Sequence, residues 1–138
     1  MKRLSVFCLA ILFIALVFGL GGCKKQSNDN YYVRYEVYTE STHYGQSLEL
    51  SVNTDSGVLN IETTIPGTGV RNVFTEQYGP MQKGFQTGLK VASNPGTYSW
   101  SWFTVSVKIY VSKNTEPFVL KAEKSGTNVC EASYVIDF

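Results

Sequence analysis

From Tyr31 onward, apolar and polar side chains alternate along almost the whole chain. No stretch of helical length repeats apolar residues at i, i+3, i+4 and i+7, so the pattern predicts strands throughout. Tyr31, Val33, Tyr35 and Val37 form one face of a first strand, with Tyr32, Arg34, Glu36 and Tyr38 on the other. Leu48, Leu50 and Val52 mark a second strand. The tight connection Asn53-Thr54-Asp55-Ser56-Gly57 then leads into a third, carried by Leu59, Ile61, Thr63 and Ile65, and the pair reads as a hairpin. Pro66-Gly67 stops it, because proline lacks the donor a ladder needs and glycine frees the backbone to turn. Val70 to Tyr78 is a weaker fourth strand, ended by Gly79-Pro80. Phe85, Thr87, Leu89 and Val91 give a fifth, stopped by Asn94-Pro95-Gly96.

Further on, the alternation changes phase. Tyr98, Trp100 and Trp102 occupy even positions, whereas Phe103, Val105, Val107, Ile109 and Val111 are odd. A one-residue slip moves every later side chain to the opposite face, so a bulge or loop near Trp102-Phe103 is required if both sets are buried. Phe118, Leu120 and Ala122 form the next strand, and Ser125-Gly126-Thr127-Asn128 leads into a last one in which Cys130, Ala132, Tyr134, Ile136 and Phe138 share a face. Seven to eight strands, a polar alternate face and no crossover helices predict an all-β fold. The expected architecture is an antiparallel β-sandwich of immunoglobulin-like size over residues 31–138, with a small closed barrel as the alternative. The antibody-type Cys…Trp…Cys framework is absent.

The first residues follow a different rule. Lys2 and Arg3 precede an uncharged apolar run from Leu4 to Leu20, the pattern of a secretory signal. The run ends in Leu20-Gly21-Gly22-Cys23, which resembles the lipobox of bacterial lipoproteins. That resemblance implies removal of residues 1–22, a diacylglyceryl group on Cys23 and further acylation such as palmitate, so that several chains hold the protein on a membrane without spanning it. Lys24 stands where sorting in Gram-negative cells places Asp for inner-membrane retention, so the outer membrane is the favoured location. Residues 24–30, KKQSNDN, have the composition of a flexible tether, making 23–30 a lipidated linker.

Composition then narrows the function. The chain has 138 residues, and 12 Lys+Arg against 11 Asp+Glu give a net charge of +1, which offers no basic footprint for nucleic acid. Of the 3 cysteines, Cys8 leaves with the signal and Cys23 is acylated, which leaves Cys130 alone, read as a buried core thiol.

Tyr32-Val33-Arg34-Tyr35-Glu36-Val37, the Gly84-Phe85 to Val91 strand and Val105-Ser106-Val107-Lys108-Ile109-Tyr110-Val111 are similar to segments of small lipoproteins of Bacteroidetes. They are more distantly similar to the periplasmic domain of the mycobacterial small membrane proteins that assist lipid exporters. The resemblance implies a single β-sandwich domain and an accessory role in envelope transport or assembly. The chain departs from the mycobacterial family in carrying a lipobox in place of an N-terminal membrane helix, and Cys130 has no partner for a Cys pair.

Candidate chemistry is sparse. His43, the single histidine, lies in the polar connection Glu40-Ser41-Thr42-His43-Tyr44-Gly45 and is expected to be a solvated loop residue. It would be the only proton shuttle available to an envelope hydrolase, and no G-x-S-x-G elbow accompanies it. Glu36, Glu49, Glu62, Glu123 and Glu131 read as solvated outward positions or cross-strand ion pairs. Gly67-Thr68-Gly69 has neither the glycines nor the helix of a phosphate loop. No catalytic residue, metal site or cofactor is expected. Tyr98, Trp100 and Trp102 remain: they either close the sandwich core or form an exposed platform for a sugar ring or a protein partner. The expected function is thus a non-catalytic, lipid-anchored binding or accessory module with an envelope protein or a glycan as partner. A carbohydrate-binding module is the alternative.

Overall fold

The computed structural model describes residues 28–42, 45–94 and 102–138. Among these the chain forms eight strands and no helix: β1 Tyr31–Ser41, β2 Ser47–Thr54, β3 Gly57–Thr64, β4 Gly69–Met81, β5 Gln86–Ser93, β6 Phe103–Lys113, β7 Val119–Thr127 and β8 Val129–Val135. They make two four-stranded antiparallel sheets, ordered β4-β1-β6-β7 and β3-β2-β5-β8. Their inner faces meet in one core, the expected β-sandwich.

The alternation read from the sequence fills that core. Val33, Tyr35 and Val37 of β1 and Val105, Val107 and Ile109 of β6 are fully buried from one sheet, facing Leu48, Leu50, Leu89 and Val91 of the other. Cys130, Ala132 and Ile136 are buried as expected, with Tyr134 and Phe138 packed against the core. The β2–β3 hairpin closes through Asp55-Ser56: Thr54 Oγ1 donates to the Gly57 carbonyl at 2.8 Å, and the Ser56 N–H donates to Thr54 Oγ1 at 3.3 Å.

Tyr35 ties the two sheets together. The register of β2 against β5 closes at Val52 and Leu89. At the next position, the Tyr35 hydroxyl crosses from the other sheet to donate to the Asn53 carbonyl at 2.7 Å and to accept from the Gly88 N–H at 3.3 Å. A phenol thereby serves both backbone groups where the ladder has opened.

Four expectations need correction. Glu40 and Ser41, assigned to a connection, lie in β1, because their neighbours Val70 and Thr104, Gly69 and Phe103 extend the ladder on both sides. Gly79-Pro80, joined by a cis peptide, does not end β4, which runs on to pair Met81 with Tyr31 across a bulge. An edge strand tolerates this, since the missing proline donor faces no further strand. Ser125, Gly126 and Thr127 belong to β7, and the chain passes to the other sheet at Asn128, whose φ is +60°. Finally, Phe118, Leu120 and Ala122 do not share a face. A bulge between Ile109 and Tyr110 pairs Ile109 with Ala122 but Tyr110 with Leu120, which leaves Leu120 exposed beside Tyr110 on the outer side.

Candidate functional site

One end of the sandwich gathers the C-terminal end of β1, the start of β4, the start of β6 and the end of β7. Register places Val70, Glu40, Thr104 and Thr127 side by side across all four strands of that sheet. Trp102 precedes Thr104 by two residues and is 73% exposed, whereas Phe103 between them is buried in the core. Even positions here face water and odd positions face the core. The change of phase at Trp102-Phe103 therefore needs no bulge, and Trp102 does not close the core. Glu40, Thr104, Thr127 and Trp102, together with Thr42 and Thr68, border an open concavity of about 700 Å³. Among the described residues its lining contains one carboxylate, Glu40, and no basic side chain. Tyr98 and Trp100, the other members of the expected platform, lie outside the described residues, as do His43 and Cys23. Glu40 and the threonines escaped sequence reading because only the register of four strands brings them into one row.

The outer face of the same sheet carries a network of charges and rings. Arg34 Nε lies 3.0 Å from Glu36 Oε1, and its guanidinium sits 4.7 Å from the ring centres of both Tyr110 and Phe118. The Tyr38 hydroxyl donates to Glu36 Oε2 at 3.1 Å. Lys108 Nζ is 3.3 Å from Glu123 Oε1 and 5.4 Å from the Tyr38 ring, and the Glu123 contact holds its ammonium above the usual lysine range. Glu36, expected as a solvated position or one half of a cross-strand ion pair, is instead 9% exposed and paired with Arg34 of its own strand, because β1 is a central strand whose neighbours' long side chains fold over it. Burial and the adjacent Glu36 carboxylate push the Tyr110 phenol up. Each charge of this network lies beside an opposite one, Arg34 beside Glu36 and Lys108 beside Glu123.

At the opposite end, the start of the chain's described part is clasped by the β6–β7 turn. Lys113 Nζ and Asp29 Oδ2 are 2.9 Å apart. Asn114, at a φ of +55°, donates its N–H to the Asn30 carbonyl at 2.7 Å. Its side chain accepts from the Asn30 N–H at 3.0 Å and donates to Asp29 Oδ1 at 3.3 Å. Asn tolerates this left-handed backbone better than most residues.

Among the described residues no group of three or more His, Cys, Asp or Glu side chains is placed to hold a metal, and no helix is long and apolar enough to cross a membrane. Burial raises the Cys130 thiol above its ordinary range, which suits packing and not nucleophilic attack.

Fold and site together define an antiparallel β-sandwich with an aromatic and hydroxyl-lined concavity at one end. Compared with known proteins, the chain matches no family model, no curated protein and no solved structure.

Proposed function

We propose that the protein is a lipid-anchored, non-catalytic binding or accessory module of the cell envelope that presents its Trp102 end to a partner. The observation carrying this reading is the opposition of two features along β1. Its N-terminal end adjoins the clasp at Asp29 and Asn30, and its C-terminal end contributes Glu40 to the concavity. The strand has 11 residues, so the two features are separated by roughly 35 Å. The lipobox-like Leu20-Gly21-Gly22-Cys23 supplies the anchor in this reading. The six steps from Cys23 to Asp29 span at most about 20 Å, which keeps the clasped end near the bilayer and points the concavity away from it. Lys24 after the acylated cysteine favours the outer membrane. A role in assisting an envelope transport or assembly complex fits a surface displayed away from the membrane.

Membrane flotation and mass spectrometry of the exported protein provide the test. Acylated Cys23 is expected as the new N-terminus, and Cys23→Ala is expected to leave the membrane fraction. A Cys23→Ala protein that floats as fully as the parent would overturn the anchor.

A further inference from the structure

We infer that the concavity at the Trp102 end is a binding site for a neutral carbohydrate, with one sugar ring stacked on the indole and its hydroxyls bonded to Glu40 and the threonine row. The inference rests on the reading of this end as the recognition surface and names its ligand class. Three observations carry it. First, the indole is held out in water at 73% exposure while the next residue anchors the strand in the core. An aromatic face presented in this way suits the C–H face of a sugar ring, which is flat and weakly polar. Second, the ring is bordered by hydroxyls, Thr42, Thr68, Thr104 and Thr127. Thr104 and Thr127 sit opposite one another on adjacent strands, on β-branched side chains with few rotamers, so little ordering is needed when a ligand arrives. Third, Glu40 is the carboxylate among the described residues of the lining. A carboxylate accepts two hydroxyl donors, which suits vicinal diols, and its negative charge disfavours phosphates and acidic glycans at the same position. A row four strands wide measures about 14 Å, the scale of a short oligosaccharide and well below a standard protein interface.

The full-length protein, purified in detergent, is titrated calorimetrically with neutral oligosaccharides (β-glucan, mannan, galactan and N-acetylglucosamine series) and with polygalacturonate as the anionic comparator. At least one neutral series is expected to bind. Trp102→Ala should weaken it tenfold or more and Glu40→Gln severalfold, Trp102→Phe should retain part of the affinity, and Lys90→Ala, on the other sheet, should leave it unchanged. All variants should melt at the parent temperature. Binding to no neutral series, preference for polygalacturonate, or neutral binding indifferent to Trp102→Ala and Glu40→Gln would each overturn the proposal. A photo-crosslinker at Thr104 in envelope membranes separates the two levels of the reading. Without glycan binding, protein adducts lost in Trp102→Ala would overturn the sugar while keeping this end as the recognition surface. No Trp102-dependent adduct and no glycan binding would remove both.

Discussion

The Tyr35 hydroxyl supplies both an acceptor and a donor to backbone groups of the opposite sheet. Tyr35→Phe keeps the ring's packing but leaves the Gly88 N–H and the Asn53 carbonyl unpaired. Chemical denaturation should report a loss of about 1 to 3 kcal/mol. Burial pushes the Tyr35 phenol up to about 12 from 10.0. The fold thus favours the neutral form, and this contribution is complete below pH 10 and fades as pH rises from 10 toward 12. Stability measured across that range should fall in the parent and fall less steeply in Tyr35→Phe. The role was illegible in the sequence: alternation placed Tyr35 in the core, but which backbone groups its oxygen would meet depends on where a second sheet lies. Trp102 was legible only as a choice between two faces, and the burial of Phe103 beside it decides that choice.

Strand elements were read well where both faces of a segment had a settled partner, as in β2, β5 and β6. Errors fell at strand ends, at edges and at bulges. Turn residues such as Gly79-Pro80 and Ser125-Gly126 look alike whether they end a strand or bend one, and the neighbouring ladder decides. The β7–β8 corner shows the constraint most plainly. Gly126 approaches β8 so closely that a Cβ there would sit 2.3 Å from the Val129 carbonyl oxygen. Backbone, unlike a flexible side chain, has little room to move aside. Gly126→Ala should therefore cost about 3 kcal/mol in an equilibrium unfolding experiment, whereas Gly84→Ala, in open space at a φ of +89°, should lose only what its backbone conformation demands, about 1 kcal/mol. At Gly79 both constraints coincide, with φ at +135° and a Cβ placed 2.7 Å from the Tyr31 carbonyl oxygen, so Gly79→Ala is expected to be the most damaging of the three.

Across the whole molecule, the sandwich has one end clasped at Asp29 and Asn30 and another that carries Trp102. The clasp should matter little to stability, since Lys113 and Asp29 form an ion pair at the surface, where solvent screens the attraction. Its effect should lie in chain accessibility. Lys113→Ala combined with Asn114→Gly is expected to leave the unfolding midpoint within a few degrees of the parent while speeding cleavage before Asp29 by an Asp-specific protease. Equal cleavage rates would show that the contacts do not hold the chain. One further consequence follows from the central position of β1, which is paired along nearly its full length with β4 on one side and β6 on the other. The strand that begins at the clasp also ends at Glu40. A tug between an anchored N-terminus and a ligand held at the far end would run lengthwise down a single strand. Antiparallel ladder bonds lie perpendicular to that pull, so it would load both rows in shear together instead of unzipping them one by one. In single-molecule force spectroscopy, pulling between residue 30 and a handle near Thr127 should give a high rupture force, and peeling the edge strand β8 from its free end a much lower one.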